Sequence, residues 1–284
     1  MMHRSYRTLA VLAALFYCMT AVVAVAQHMQ GSVLFVAPHR VLIPDGEATA
    51  VLSVANNSDV PRRYDLTMVD QVMGENGITE RKDTFEYSLK RMVKFVPRRF
   101  SLKPNEKQAV RVMVRRPRDL ADGDYHSHLL FREVPLSVKD KRDLQKERKE
   151  TEKKATFEIR TLYGVAVPIV VQQGKIESDV SLGDVVLGKS EKHADLKQLN
   201  VSFNRTGNAE AVGYLSAQYE KAGQEAVPIV EGQWVRLYRE VDLVKKSFVL
   251  SNLPPNAQGG KIVVTFVRDE NDDSKTQVKD VPLP

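Results

Sequence analysis

Cysteine is almost absent from this chain. The one cysteine among its 284 residues, Cys18, lies in an apolar N-terminal stretch, where Tyr17 occupies a position at which a lipoprotein signal would carry a small residue. Removal of that stretch would leave no thiol, which excludes disulfides and cysteine-based metal sites from the rest of the chain. An exported chain without disulfides has to be stabilised by its apolar cores.

The sequence also lacks the motifs of common enzymes and nucleic-acid-binding proteins. It contains no Gly-x-Ser-x-Gly turn, no phosphate-binding glycine loop and no paired-carboxylate motif. Aromatic residues make up only 7% of the chain and are scattered along it, so no stacking platform is indicated. The net charge of +6 falls by two to +4 once Arg4 and Arg7 are removed. We therefore expect a protein that is not an enzyme, with no cofactor and no nucleic-acid partner.

Residues 1–26 have the pattern of a secretory signal peptide. A basic stretch at 3–7 precedes an apolar run at 9–23, and the small-x-small triplet at 24–26 follows directly. The alternative is a membrane anchor, but the apolar run is short for a span. We predict export, a mature chain that begins near Gln27, and no stable membrane insertion.

The length favours two domains over one. A chain of 284 residues is long for a single core, and a composition of 43% apolar and 27% charged residues suits globular domains. We predict an N-terminal domain at 27–172 and a C-terminal domain at 173–284, with a break at Gly174. Nearly every residue at 139–154 is charged, in mixed sign, which predicts a long solvated loop or helix in the first domain.

Alternation with a period of two indicates strands. Val110, Val112 and Val114 point to one side of the chain, and polar or flexible residues separate them. The sequence at 104–106 has the residues of a tight turn, and a further strand is predicted at 125–134. Many short strands with turn signals between them predict an all-β protein of two immunoglobulin-like β-sandwich domains.

The other predicted strands lie at 33–36 and 40–43 (broken at Pro38), 48–55, 63–72, 155–171, 176–187, 196–204, 213–220, 226–230, 234–238, 246–250 and 262–267. Residues 78–91 are polar and are predicted to be irregular.

One motif block resembles a known family. VPRRFSLKPNEKQAVRVMV at 96–114, followed by DGDYHSHLLFREVP at 122–135, is similar to the N-terminal domain of PapD-like periplasmic chaperones of the chaperone–usher pathway. NRTGN at 204–208 resembles a turn found in a subset of them. By this resemblance the chain would be a divergent member of the family. The resemblance implies two sandwiches set at an angle and a periplasmic location. It also implies pilus or fimbrial subunits and an outer-membrane usher as partners.

The resemblance also implies a site for a subunit's C-terminal carboxylate. The family holds this group with two basic residues between the domains, and Arg40 matches the first of them; its guanidinium fork suits a carboxylate. The alternative is a solvated arginine in a loop. The second family residue, a lysine five positions before a proline, falls on Tyr163 when counted back from Pro168. Arg160 is a nearby substitute. Side chains alternate along a strand, so Arg160 and Tyr163 point to opposite faces unless a bulge intervenes.

The last strand of the family's first domain donates apolar side chains to the subunit. By this resemblance Ala155, Phe157, Ile159 and Tyr163 are the expected donor-strand contacts. The alternative is that Phe157 and Ile159 cover the domain's own core. A second function also remains open, an exported two-domain adhesive or structural protein with no subunit client.

His126 and His128 lie two residues apart on a predicted strand, so both rings face the same side and could share a metal ion. No carboxylate or thiol at a helpful spacing joins them. We therefore expect no metal and interpret both as surface or half-buried histidines of a sheet.

Overall fold

The computed structural model describes residues 33–135, 162–190, 196–254, 257–268 and 276–283, and in these ranges the chain is all β. The predicted all-β class is confirmed. No helix that could cross a membrane occurs in these ranges. The predicted signal peptide, the charged loop at 139–154, and the site residues Ala155, Phe157, Ile159 and Arg160 lie outside the described residues.

The strands are β1 (Leu34–Ala37), β2 (Val41–Ile43), β3 (Thr49–Asn56), β4 (Arg62–Met73), β5 (Thr79–Lys82), β6 (Val93–Val96), β7 (Arg99–Leu102), β8 (Lys107–Val114), β9 (Gly123–Val134), β10 (Gly164–Gln173), β11 (Ser178–Lys189), β12 (Lys197–Gly207), β13 (Ala211–Glu220), β14 (Val227–Leu237), β15 (Leu243–Val249), β16 (Lys261–Val267) and β17 (Thr276–Pro282).

The first ten strands form one sandwich. One sheet has the order β1-β3-β8-β6, and the facing sheet has the order β2-β10-β9-β4-β5, with β7 also paired to β4. Every pairing is antiparallel except that of β2 with β10, which is parallel. Val110, Val112 and Val114 point into the core between these sheets, as their alternation predicts. The tight turn at 104–106 is present, with Asn105 at a φ of 60°.

The second sandwich packs the sheet β11-β12-β15 against the sheet β14-β13-β16-β17. Its core includes Phe203 and Phe266, whose ring centroids are 5.2 Å apart. A Cβ atom at Gly213 would lie 2.0 Å from the ring of Phe266, so only glycine lets this ring reach its place in the core. The two predicted sandwiches are therefore present. The angle between them and the domain boundary at 172/173 stay predictions.

Some strand predictions were wrong. Two strands were missed because their side chains are exposed. β5 and β17 were missed because their residues are mostly exposed or only half-buried, so neither shows an apolar alternation. β14 runs through the gap predicted between 226–230 and 234–238, because a register shift opposite Leu215 and Ala217 absorbs the interruption. In the described part of the chain the last strand of the first sandwich begins at Gly164, with Tyr163 just before it.

Arg205 fastens the turn at 204–208 to the following loop of the second sandwich. Its side chain is only 3% exposed. The guanidinium donates to the carbonyl oxygens of Val241 (2.7 Å), Gly207 (2.8 Å), Ala209 (3.1 Å) and Arg239 (2.8 Å) and to Oδ1 of Asp242 (2.7 Å). A planar fork with several fixed donors can satisfy this many acceptors at once, whereas a lysine ammonium cannot.

We predict that Arg205→Lys lowers the free energy of unfolding by about 2–4 kcal/mol, because it leaves several buried carbonyl groups without a donor. Urea denaturation followed by circular dichroism measures the change. Arg111→Lys is the control, since Arg111 is exposed on β8 and should tolerate the change. Equal stability of the Arg205 variant and the wild type would contradict the role of this guanidinium.

Candidate functional site

Arg40 lies at the contact between the two sandwiches. It stands directly before β2, in a bend, and its guanidinium forms an ion pair with Glu210 of the second sandwich. The two side chains are 21% and 14% exposed. Arg40 is therefore in a loop, which agrees with one part of the alternative of a solvated loop arginine. Its charged group, however, is largely withdrawn from solvent and points between the sandwiches.

Glu210 is held from three directions. Its Oε1 accepts a hydrogen bond from Nη2 of Arg40, and its Oε2 lies 3.9 Å from Nη1 of Arg236. Its backbone N–H donates to Oδ2 of Asp124 at 2.8 Å. Arg236 projects from the outer face of β14, because Val235 and Leu237 on either side of it point into the core. Neither Glu210 nor Arg236 was predicted from the sequence.

The ion pair offsets the cost of burying a cation. Burial lowers the pKa of Arg40, and the attraction of Glu210 opposes that change, so the guanidinium keeps its charge. Burial also raises the pKa of Asp124, and the hydrogen bond from the backbone of Glu210 partly offsets this. An isolated buried guanidinium would be costly, so the carboxylate of Glu210 is a requirement of this arrangement.

The two histidines are buried, and the expectation that they lie at the surface or half-buried was wrong. His126 is 1% exposed; its ring stacks on Tyr238 at 4.3 Å, and its Nε2 lies 3.0 Å from Oε2 of Glu240. Glu240 also accepts a hydrogen bond from the backbone N–H of Met73 at 2.8 Å. The second sandwich covers this part of β9, which sequence alternation cannot reveal.

His128 shares this buried face, with its ring centroid 6.2 Å from that of His126. The predicted common orientation of the two rings is confirmed. Within the described ranges no three His, Cys, Asp or Glu side chains are grouped so that they could hold a metal ion. Burial, aided by the nearby His126, lowers the pKa of His128 to about 4, so the ring is neutral at ordinary pH.

Among the described residues, one edge of β10 is unpaired next to Arg40. β2 pairs only with Ile169–Val171, whereas β9 pairs with β10 along its whole length. No described residue pairs with the other edge of β10 from Gly164 to Pro168. Since Val41 pairs with Ile169, Arg40 stands at the level of Pro168, where the open edge ends.

Tyr163 is at the far end of this open edge. It lies about 16 Å from the level of Arg40 at the usual rise per strand residue. Its side chain is half-exposed, and its backbone is tied to Glu133, whose N–H donates to the Tyr163 carbonyl at 2.8 Å. The structure therefore does not place Tyr163 and Arg40 close enough to bind the same carboxylate. A role of Tyr163 in contacting a subunit stays a prediction.

The sequence matches no protein-family model and no curated protein. Its structure is similar to a chain of the CsuC–CsuE chaperone–tip subunit complex from the archaic chaperone–usher Csu pili of Acinetobacter baumannii, with 13% identity, a TM-score of 0.46, and 88% of this chain and 99% of that chain covered. It is also similar to the CupB2 chaperone of Pseudomonas aeruginosa, with 13% identity, a TM-score of 0.41, and 88% and 100% covered. A chain of the complex of the Salmonella enterica SafA pilin with the SafB chaperone shares 15% identity, with a TM-score of 0.40 and 88% and 96% covered.

These solved structures are of chaperones, alone or in complex with a subunit. The likeness is one of fold at low sequence identity.

We predict that the free energy of unfolding decreases as the pH is lowered from about 6.5 to about 4. In this window the unfolded chain protonates His128, whereas the folded chain does not, so the folded state binds fewer protons and loses stability. The contribution of this ring is roughly 1–3 kcal/mol. Urea denaturation at a series of pH values measures it.

The His128→Gln variant should show a flatter pH dependence in that window, while His39→Gln, at an exposed position, should retain the wild-type slope. His126, Glu240, Arg40 and Asp70 surround the ring and are unchanged in both variants. A His128 variant with the full wild-type slope would show that another group causes the pH dependence.

Proposed function

We propose that this chain is a divergent periplasmic chaperone of the chaperone–usher pathway. It binds a pilus or fimbrial subunit that lacks a strand and keeps it folded until delivery to an outer-membrane usher. The observation that carries the proposal is the open edge of β10 at Gly164–Pro168, which ends beside the largely buried guanidinium of Arg40. Export through residues 1–26 and the division into domains 27–172 and 173–284 belong to the same proposal.

The open edge supports strand addition. Unpaired backbone N–H and C=O groups at a sheet edge can hydrogen-bond to an incoming extended segment. The N–H groups of Val165 and Val167 face β9 and Pro168 has no N–H, so the donors on the open edge are Gly164 and Ala166. Ala155, Phe157, Ile159 and Tyr163 would lengthen this edge and supply apolar side chains to the subunit, with the charged loop at 139–154 preceding them.

Arg40 supports the capture of a C-terminal carboxylate. A guanidinium can donate two parallel hydrogen bonds to a carboxylate, and this pairing strengthens when water is excluded. A client that ends at Arg40 and lies along Gly164–Pro168 must run in the same direction as β10, because Arg40 is at the level of Pro168. The carboxylate would then fix the register of the added strand.

We predict that Arg40→Gln weakens subunit binding by about 10- to 100-fold, the loss expected when one charge-assisted hydrogen-bonding partner is removed. The chain is co-expressed in the periplasm with a candidate subunit encoded beside its gene, and the purified complex is measured by calorimetry or surface plasmon resonance. Arg111→Gln is the control, because it removes one exposed positive charge from β8 without touching the site.

A matched change in the subunit tests the same contact from the other side. A short Gly-Ser extension moves the terminal carboxylate away from Arg40 and should weaken the wild-type complex as strongly as the arginine variant does. Equal affinity of wild type and Arg40→Gln, in variants that fold alike by circular dichroism, would rule out this role of Arg40. A chain that binds no strand-deficient subunit would favour the adhesive or structural alternative.

A further inference from the structure

The free protein already holds a carboxylate where a client's carboxylate is expected. Oε1 of Glu210 pairs with Arg40 from the first sandwich, and Oε2 faces Arg236 of the second at 3.9 Å. The two cations therefore stand at opposite oxygens of a single carboxylate. Such a two-sided arrangement defines the place of both oxygens, which one point charge cannot do.

The contact leaves hydrogen-bonding capacity unused. Among the described residues, Nη1 of Arg40 and Oε2 of Glu210 are buried without a hydrogen-bond partner. The side chain of Arg236 is 33% exposed and approaches Oε2 only at ion-pair distance. Glu210 satisfies the charge of Arg40 but does not use all its donors, so a freely positioned carboxylate could bind better than a tethered one.

We infer that Arg40 and Arg236 form a carboxylate clamp across the two sandwiches, which Glu210 fills in the free protein and which a subunit's C-terminal carboxylate takes over. This inference rests on the proposed function and deepens it. Glu210 stands in for the client's terminus. Arg236 supplies the second basic group, which the position of Tyr163 does not provide.

Because Glu210 competes with the subunit's C-terminal carboxylate for Arg40, it limits the affinity for the subunit and selects for a free carboxylate. A client without a free carboxylate cannot replace Glu210 without leaving Arg40 buried and unpaired, which is unfavourable. A client with a free carboxylate replaces the Arg40–Glu210 ion pair by a new ion pair with Arg40. The net gain in binding free energy is therefore smaller than the strength of the new contact alone. Removal of Glu210 should therefore tighten carboxylate binding, whereas removal of Arg236 should weaken it.

The clamp is tested without a subunit by anion rescue of Glu210→Ala. The truncation leaves room beside the two guanidinium groups, and acetate is the probe. We expect a saturable rise in the melting temperature of about 2–4 °C in acetate relative to chloride at equal ionic strength, from preferential binding to the folded state. Glu231→Ala, which removes an exposed carboxylate from the same sheet, should show no such rise.

Two double variants locate the anion. The acetate effect should disappear in Glu210→Ala combined with Arg40→Gln, and should shrink in Glu210→Ala combined with Arg236→Gln. A melting temperature of Glu210→Ala that responds equally to acetate and chloride would overturn the clamp. So would an acetate effect that survives both double variants.

Subunit affinity is the second readout and separates the two proposals. Glu210→Gln, which keeps the side-chain volume and is the safer variant for folding, should bind the co-expressed subunit about tenfold more tightly, and Arg236→Gln about tenfold more weakly. Affinities unchanged by both variants would overturn the clamp while leaving the chaperone function intact. Acetate rescue in a protein that binds no strand-deficient subunit would support the clamp and overturn its proposed use.

Discussion

A cation withdrawn from water must be given an anion, and the contact between the two sandwiches depends on this requirement. Arg40 comes from the first sandwich and Glu210 from the second, and both side chains are mostly covered. Burial without a partner would cost several kcal/mol for either charge. The ion pair therefore favours a close approach of the two sandwiches, and any ligand that separates the pair has to supply an equivalent charge.

Further polar groups line this contact, although Met73 of β4 also packs into the apolar core of the second sandwich. Arg239 lies over the ring of Tyr87 at 4.2 Å and donates to the carbonyl oxygen of Asp124 at 3.1 Å. Glu240 joins the backbone of Met73 to the ring of His126. Directional contacts of this kind favour one arrangement of the two sandwiches, because hydrogen bonds weaken when their distances and angles are distorted.

How far the sequence predicts these features depends on the distance along the chain over which they form. Alternation within a few residues correctly predicted most strands, including the inward-facing valines of β8. It failed for the exposed β5 and β17, which lack an apolar face. Arg40 could be picked out through a resemblance, but Glu210 is 170 residues away from it, and no local pattern links the two. The burial of His126 and His128 was missed for the same reason, since the second sandwich covers them.

The open edge and the buried arginine have a common origin in the shortness of β2. β1 pairs in one sheet and β2 in the other, and the chain changes sheets between them at Pro38, which has no backbone N–H to donate to a ladder. Arg40 is thereby left outside the ladder, free to turn toward the second sandwich, and β2 begins too late to cover Gly164–Pro168. A β2 that began several residues earlier would pair with this part of β10 and draw position 40 into the sheet. The same interruption in the chain thus provides both the edge for an incoming strand and the cation at its end.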